Sequence, residues 1–182
     1  MEPPTPKVVG PMKENGGSPA AAVNVRRATR EDAASLLHLI TRLAEFEKLP
    51  PPDEAARERL VRDLFGPAPR LEAYLAEELA EQIGYALVFE TYSSFLALPT
   101  LYLEDLFVLP EHRSRKVGQA LFSAMASEAL RRGCGRMEWV VLDWNRGAIE
   151  FYRRLGATHM KEWQLYRLTR AEMENMRTSS GS

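Results

Sequence analysis

One stretch of this chain, residues 101–122, restricts the fold more than any other, because it passes from an apolar strand through a basic turn into an amphipathic helix. Its strand part, 101–109, is rich in aromatic and aliphatic residues and stops before Pro110, which has no amide to donate to a sheet. Apolar residues then recur at helical spacing from Val117 onward. The stretch therefore predicts a strand, a turn and a helix that begins near Gly118.

The turn between this strand and this helix has the features of a polyphosphate site. The first amides of a helix lack intrahelical partners and lie at the positive end of its dipole, so a pyrophosphate gains several donors there. Arg113, Arg115 and Lys116 add positive charge beside those amides. The sequence therefore predicts that a phosphate-bearing ligand binds where the helix begins.

The turn and three further motifs resemble those of the GNAT N-acetyltransferases. The acetyl-CoA loop of that family reads Arg/Gln-x-x-Gly-x-Gly/Ala, which Arg113 and Gly118 match, whereas Lys116 replaces a glycine. The motifs YLEDLFV, VLDWN and FYRRLGA resemble the spermidine/spermine and thialysine branch, which comprises diamine acetyltransferases. The resemblance extends from about Val25 to Leu168. It implies an α/β GNAT fold, in which helices flank a mixed, mostly antiparallel sheet with a splayed parallel strand pair at the acetyl-CoA site.

Patterns in the rest of the chain agree with that architecture. Runs of alternating apolar residues indicate strands, and 3.6-residue periodicity bounded by caps and glycines indicates helices. The predicted elements, in chain order, are a strand at 23–28, a helix around 36–43, a helix from Asp53 to Gly66, an antiparallel meander of strands at 71–76, 83–91 and 101–109, a helix at 118–132, a parallel strand at 136–142, a helix at 146–155 and a closing strand at 163–168.

Composition predicts one domain, which the resemblance identifies as a GNAT domain at residues 23–177. The 182-residue chain has 45% hydrophobic residues, enough for a sizeable core. Residues 1–22 are rich in proline and glycine, and 178–182 are small and polar, so we expect a disordered leader and a disordered tail.

Charge and cysteine usage exclude several classes of protein. A formal net charge of −1 gives no general attraction to nucleic acid or to anionic membranes. No apolar run approaches the roughly 20 residues of a membrane span, and the N-terminus lacks a secretory pattern. The single cysteine, Cys134, excludes an intramolecular disulfide and is compatible with a reducing compartment. We therefore expect a cytoplasmic protein that binds neither nucleic acid nor membrane.

Acetylation of an amine requires a proton acceptor, because an aliphatic amine is mostly protonated at pH 7. Strand alternation puts Glu104 on one face with Tyr102 and Leu106, opposite Asp105. From this pattern alone, Glu104 is more simply a solvated or salt-bridged carboxylate. The resemblance implies instead that Glu104 is catalytic and deprotonates the amine through water. For Asp105 two interpretations stay open, namely binding of a cationic substrate and a structural ion pair.

Two residues of the last predicted helix region also have a packing interpretation and a functional one. Tyr152, in FYRRLGA, is by itself an ordinary core aromatic, but the resemblance implies a catalytic general acid that protonates the leaving thiolate. Asn145 precedes the helix and is an N-cap candidate, and the family also uses an asparagine at this point to contact pantetheine. The two roles of Asn145 are compatible.

The resemblance implies acetyl-CoA as co-substrate, and the residue pattern gives no reason to expect a metal. Serine and lysine in place of loop glycines restrict positive φ and close backbone approach, so we expect weakened but retained acetyl-CoA binding. The three histidines show no metal-ligand spacing. The residues implied to bind acetyl-CoA are Leu106, Phe107 and Val108 through their backbone, Arg113, Ser114, Arg115, Lys116, Val117 and Gly118 in the loop and helix start, and Asn145 and Tyr152.

The predicted acceptor is the primary amine of a small molecule. Tyr92, Glu104 and Asp105 are the candidate substrate-binding residues in the meander. Ser93 and Phe95 stand where polyamine-specific relatives carry Asp and Trp, which favours a small diamine or an ornithine-like or thialysine-like molecule over spermine.

Two other functions stay open from the sequence. One is acetylation of protein lysines or N-terminal amines, and the other is a non-catalytic acyl-CoA-binding module, although retention of Glu104 and Tyr152 argues against the latter. The resemblance also implies a homodimer, which the apolar, aromatic segment 163–168 makes plausible.

Overall fold

The structure is a computed structural model that describes residues 23–179, so the predicted leader and residues 180–182 lie outside the described residues. The chain divides after Trp139 into two compact units. The first holds β1 (Asn24–Arg27), α1 (Ala33–Glu47), α2 (Glu54–Phe65), β2 (Glu72–Glu78), β3 (Glu81–Ser93), β4 (Leu98–Val108), α3 (Val117–Arg131) and β5 (Arg136–Glu138), and the second holds α4 (Arg146–Arg154) and α5 (Arg170–Ser179).

The sheet of the first unit confirms the predicted fold class. Its strands follow in the order β1-β2-β3-β4-β5, and all neighbours are antiparallel except β4 and β5, which are parallel. β5 pairs with β4 only from Thr100 to Tyr102. It is therefore shorter than the predicted strand at 136–142, because strand structure lasts only as long as a neighbour supplies a hydrogen-bond ladder. Residues 103–108 of β4 continue past this pairing, as expected for a splayed pair.

Helices cover both faces of this sheet. α3 contributes a stripe at four-residue spacing to one core, in which it packs on β3 and β4, whereas α1 and α2 contribute to a second core on the opposite face. Asp53 caps α2 by accepting a hydrogen bond from the Ala56 amide at 2.7 Å, as the sequence predicts. The α3 stripe consists of Val117, Leu121, Met125 and Ala129, all at most 5% exposed.

A β-bulge in β4 changes the faces of the residues that follow it. Leu103 pairs with Val88 and Asp105 pairs with Leu87, so Glu104 has no counterpart on β3. Leu103 belongs to the α3 core, whereas Phe107, four residues later, belongs to the α1 core. The extra residue shifts the two-residue alternation, and strict alternation therefore fails across the motif.

The prediction that Tyr102 and Leu106 share one face, opposite Asp105, is consequently wrong. Leu106 packs against the α3 core, and Asp105 accepts a hydrogen bond from Tyr85, a member of the α1 core. The flanking residues of Tyr102 both belong to the α3 core, so Tyr102 lies on the face of Asp105. The bulge thus brings an aromatic residue and an acid that the sequence separates onto one face.

The second unit differs from the prediction at its end. Residues 163–168 form no strand within the described chain, because a strand requires a partner and no strand of residues 23–179 pairs with this segment. The side chains of Trp163 and Tyr166 are 72% and 83% exposed. α5 then extends to Ser179, so the first two residues of the predicted tail lie in a helix.

The start of α5 carries a readable signal that sequence reasoning missed. The Thr169 amide donates to Oε2 of Glu172 at 2.5 Å, and the Glu172 amide donates to Oγ1 of Thr169 at 3.4 Å. This reciprocal arrangement is a capping box, and its Thr-x-x-Glu spacing is visible in the sequence.

None of the described helices is long and apolar enough to cross a membrane.

Candidate active site

The loop between β4 and α3 provides the helix-terminal amides that the sequence predicts. α3 begins at Val117, and the first bond that closes a helical turn runs from the Ala120 amide to the Lys116 carbonyl at 2.9 Å. The amides of residues 117–119 therefore have no acceptor inside the helix and lie at its positive end. This donor set fits the diphosphate of a nucleotide-containing ligand.

The loop backbone has the left-handed conformation expected of glycine, although it carries larger side chains. Ser114 has a φ of 63° and Lys116 has a φ of 65°. For a residue with a Cβ this conformation costs roughly 1–2 kcal/mol. Both side chains are exposed. The substitutions of the glycine pattern therefore preserve the backbone shape and introduce local strain.

Arg113 makes its contacts within the first unit. Its Nε donates to the Val108 carbonyl at 3.0 Å, and its guanidinium carbon lies 4.5 Å from the ring centroid of Phe46 and 5.7 Å from that of Phe107. Burial lowers the pKa of Arg113 from its ordinary value. The residue that best matches the family loop thus joins the end of α1 to the end of β4.

Arg115 also contacts protein groups. Its Nη2 donates to Oε1 of Glu78 at 2.5 Å, and its Nη1 lies 3.2 Å from Nδ1 of His112. Lys116, by contrast, is exposed and forms no ion pair within residues 23–179. The three loop cations therefore have different environments, which the sequence does not distinguish.

Strand β4 lies next to the loop and presents the backbone predicted to bind pantetheine. Leu106, Phe107 and Val108 pair with β3 on one edge, and within the described residues β5 does not pair with the other edge beyond Tyr102. A Cβ on Gly84 would lie 2.7 Å from the Phe107 carbonyl oxygen. Glycine is therefore required there for the close approach of β3 to this end of β4.

An acidic cluster lies on the α1 side of the bulge and comprises Glu47, Glu104 and Asp105. Asp105 is half-buried and accepts a hydrogen bond from the Tyr85 hydroxyl at 2.9 Å. Burial raises its pKa to about 6, the hydrogen bond from Tyr85 opposes that rise, and the charges of Glu104 and Glu47 add to it. Burial also raises the pKa of Glu47, and it raises that of Tyr85 well above its ordinary value. A site with these properties favours a bound cation.

Sequence reasoning found two members of this cluster and missed the third. Glu104 is exposed at the bulge, and its charge contributes to the raised pKa of Tyr102 after the larger effect of burial. Glu47 ends α1, and its approach to β4 depends on how that helix packs on the sheet. No local pattern around Glu47 could have signalled this position.

Tyr92, the third predicted substrate-binding residue, lies away from the acidic cluster. Tyr92 pairs with Pro99 near the far end of the β3–β4 ribbon and is 68% exposed. The offset from Asp105 along β4 is roughly 20 Å at about 3.3 Å per residue. A substrate-binding role for Tyr92 stays a prediction.

The two candidates of the second unit have clear local environments. The Asn145 side chain accepts a hydrogen bond from the Ala148 amide at 3.2 Å and so caps α4, which agrees with one of its two predicted roles. Tyr152 is half-buried, its ring lies 5.3 Å from that of Phe151, and burial raises its pKa to about 12. A phenol with this pKa keeps its proton at neutral pH and can donate it.

Comparison with known proteins identifies the family of this fold. Residues 34–157 match the model of the Acetyltransferase (GNAT) family. The chain is 35% identical over 169 residues to thialysine N-epsilon-acetyltransferase of Bos taurus, covering 88% of this chain and 99% of that protein. It is 43% identical over 103 residues to L-ornithine N5-acetyltransferase NATA1 of Arabidopsis thaliana, covering 56% and 45% of the two chains.

Solved structures show the same fold. An integron cassette protein from the mobile metagenome of V. cholerae superposes with a TM-score of 0.72 at 21% identity, over 85% of this chain and 97% of that one. The mixed sheet, the helix that follows β4 and the match over residues 34–157 lead to one conclusion. The chain belongs to the GNAT family of acetyltransferases and is an N-acetyltransferase.

Proposed function

We propose that this enzyme acetylates the primary amine of a small diamine or of a diamine-like amino acid, with acetyl-CoA as the donor. The acidic cluster is the observation that carries the proposal. Asp105 is half-buried with a raised pKa, and Glu47 and Glu104 act on it electrostatically. Three carboxylates around one position are costly unless a cation joins them, and a protonated amine of a diamine supplies that cation.

The residues of the loop and of β4 fit acetyl-CoA. The amides at the start of α3 suit the diphosphate, and the edge of β4 beyond Tyr102 offers backbone groups to the pantetheine arm. Ser114, Lys116 and Gly118 would line the approach to these amides. When bound, acetyl-CoA supplies an acetyl thioester, which is the reactive group that the family uses.

Two residues of this chain would move protons. Glu104, exposed at the bulge, would accept a proton from the acceptor amine through water, so that the amine becomes nucleophilic. Tyr152 would hold its phenolic proton until a thiolate leaves, in accord with its raised pKa. Asp105 and Glu47 would bind the second, protonated amine of the acceptor and orient the molecule.

The sizes of the acceptors named for the relatives support a small substrate. Those relatives act, by their names, on thialysine and on ornithine, each an amino acid with a second amine.

We also propose a homodimer in the cytoplasm. The exposed apolar residues Trp163, Leu165 and Tyr166 support a contact between copies, because exposed apolar surface of this kind is typical of an interface.

The test is the initial rate of CoA thiol release with acetyl-CoA and a panel of acceptors. The panel contains 1,3-diaminopropane, putrescine, spermidine, ornithine, thialysine and a lysine peptide. We expect the highest kcat/KM with a small diamine or a diamino acid. Activity with the peptide alone would contradict the proposal and favour protein acetylation.

Variants separate the roles within the same assay. Tyr152→Phe keeps the ring and should lower kcat by about 100-fold, the usual contribution of a general acid. Glu58→Gln changes an exposed carboxylate on α2 and is the matched control, with no change expected. Acetyl-CoA binding by Tyr152→Phe, measured by calorimetry, should equal that of the native enzyme, and unchanged turnover would refute the role of Tyr152.

A further inference from the structure

A buried carboxylate outside the acidic cluster contacts the acetyl-CoA loop. Glu78 ends β2 and is only 8% exposed. Its Oε1 accepts a hydrogen bond from Nη2 of Arg115 at 2.5 Å, and its Oε2 lies 3.6 Å from Nδ1 of His112. One oxygen of this carboxylate is therefore hydrogen-bonded to a guanidinium of the β4–α3 loop, more than thirty positions away in the chain, and the other lies near an imidazole of the same loop.

The loop groups that Glu78 engages also contact each other. Nη1 of Arg115 lies 3.2 Å from Nδ1 of His112, so the three side chains form a closed triangle. His112 is the last residue of the short 3-10 helix Pro110–His112. Arg115 immediately precedes Lys116, which is the N-cap residue of α3. The triangle thus joins the beginning of the loop to its end and both to β2.

The loop needs an external support because its sequence lacks the usual glycines. Ser114 and Lys116, the neighbours of Arg115 on each side, both have left-handed φ angles. Residues with a Cβ keep such conformations only where the surrounding structure determines them. A charged hydrogen bond from the residue between them to a buried carboxylate is such a determinant.

The same contacts change the expected role of Arg115. A guanidinium that already pairs with a buried carboxylate brings little net positive charge to a neighbouring diphosphate. Removal of one partner would leave the other charge without compensation, which is unfavourable for a carboxylate as buried as Glu78. The observed pairing therefore gives Arg115 an alternative to the predicted role of a cofactor ligand.

We propose that Glu78 is a positioning residue for acetyl-CoA binding, and that it holds the β4–α3 loop in its binding conformation through its hydrogen bond with Arg115. Arg115 is accordingly a structural tie of the loop and contacts no phosphate. This inference rests on the use of acetyl-CoA in the proposed function. It assigns a role in the site to a residue of β2, which no motif of the sequence connects with the cofactor.

The variant Glu78→Gln distinguishes a structural role of Arg115 from a role as phosphate ligand, because the two roles predict opposite changes in CoA affinity. If Glu78 positions the loop, loss of its charge weakens binding of acetyl-CoA and CoA by about 10-fold. If Arg115 were a phosphate ligand restrained by Glu78, the same change would release a cation and tighten binding. Kd is measured by calorimetry with CoA, so the readout does not depend on the acceptor or on turnover.

A second variant and a kinetic measurement distinguish positioning from a general loss of structure. Arg115→Gln should weaken CoA binding by a similar factor, and the double variant should be no weaker than either single one, because both remove one interaction. With a saturating amine acceptor, the KM for acetyl-CoA should rise while kcat stays unchanged. A general structural defect would instead lower kcat in proportion to the loss of folded protein.

Glu81→Gln is the matched control, since Glu81 pairs with Glu78 across the β2–β3 turn and its side chain is exposed. Its CoA affinity should equal that of the native protein. Unchanged or tighter CoA binding by Glu78→Gln would overturn this inference alone. Absence of CoA binding by the native protein would overturn the proposed cofactor use, and this inference with it.

Discussion

The β4–α3 loop and the acidic cluster lie at the two ends of the same short part of β4, and their charged groups have opposite surroundings. In the loop, Arg115 is paired with a buried carboxylate and Arg113 lies on aromatic rings. In the cluster, the charges of Glu47 and Glu104 act on Asp105, which accepts a hydrogen bond from Tyr85. One loop cation, Arg115, is thus compensated by a buried carboxylate, whereas the carboxylates of the cluster have no cationic partner among the ion pairs of residues 23–179.

This difference agrees with the ligand that we propose for each region. A loop that positions backbone amides needs a fixed shape, and internal ion pairs supply that shape. A site that selects a cation gains from uncompensated carboxylates, because the ligand relieves their repulsion and desolvation. Without a bound cation, the cluster raises the pKa of Asp105. We therefore expect the ligand-free protein to be less stable at neutral pH than it would be without this carboxylate.

The largest effect should follow from a change at the bulge. Glu104→Gln removes the proposed proton acceptor and keeps the size of the side chain, so kcat/KM for the amine should fall about 100-fold. CoA affinity should stay constant, because the loop does not depend on Glu104. Steady-state kinetics and calorimetry measure the two quantities. Equal losses in both would show that the two regions are not functionally separate.

A smaller effect on stability is expected from Asp105→Asn. The folded pKa of Asp105, about 6, lies above its ordinary value of 3.8. The charged form is therefore disfavoured in the folded protein, so the contribution of this group to stability falls as the pH rises from about 4 to 6 and stays low above that range. At pH 8 the neutral amide, which can still accept from Tyr85, should stabilise the fold by about 2 kcal/mol.

Thermal or urea unfolding at pH 8 and at pH 4 checks this sign. The stabilisation by Asp105→Asn should shrink markedly at pH 4, where Asp105 is largely protonated in the folded protein. The control is Glu58→Gln, which should show no pH-dependent difference. A destabilised Asp105→Asn variant at pH 8 would mean that the carboxylate is held by a stabilising partner.

The smallest effect is expected in the loop, from Lys116→Gly. Glycine adopts the φ of 65° without a Cβ penalty, so the variant should gain about 1 kcal/mol in stability. The lysine side chain is also expected to weaken acetyl-CoA binding, so the glycine variant should bind a few-fold more tightly. Calorimetry with CoA decides this, and an unchanged Kd would disprove the expected weakening by Lys116.

The sequence was most informative where structure is local. The apolar stripe of α3 and the caps formed by Asp53 and Asn145 depend on residues a few positions apart, and the structure confirms each of them. The parallel β4–β5 pair followed from the strand, helix and strand order. The resemblance to a family added the identity of the co-substrate, which residue patterns alone do not give.

The sequence failed where the structure depends on register or on distant partners. The bulge at Glu104 is a choice of pairing between β3 and β4, and it reverses the face of Asp105. Glu47 approaches Asp105 through the packing of α1 on the sheet, and Glu78 contacts the β4–α3 loop from the end of β2. The strand predicted at 163–168 also required a partner, which no strand of the described chain provides.

The most direct test of the central claim, that the acidic cluster binds a cationic acceptor, is the pH dependence of the KM for a diamine. It is measured between pH 5 and pH 8 in the native enzyme and in Asp105→Asn, with saturating acetyl-CoA. The account predicts that KM rises in the native enzyme as the pH falls through about 6, because Asp105 becomes neutral. In Asp105→Asn, KM should be high and flat across that range. An identical pH profile in both proteins would contradict the account.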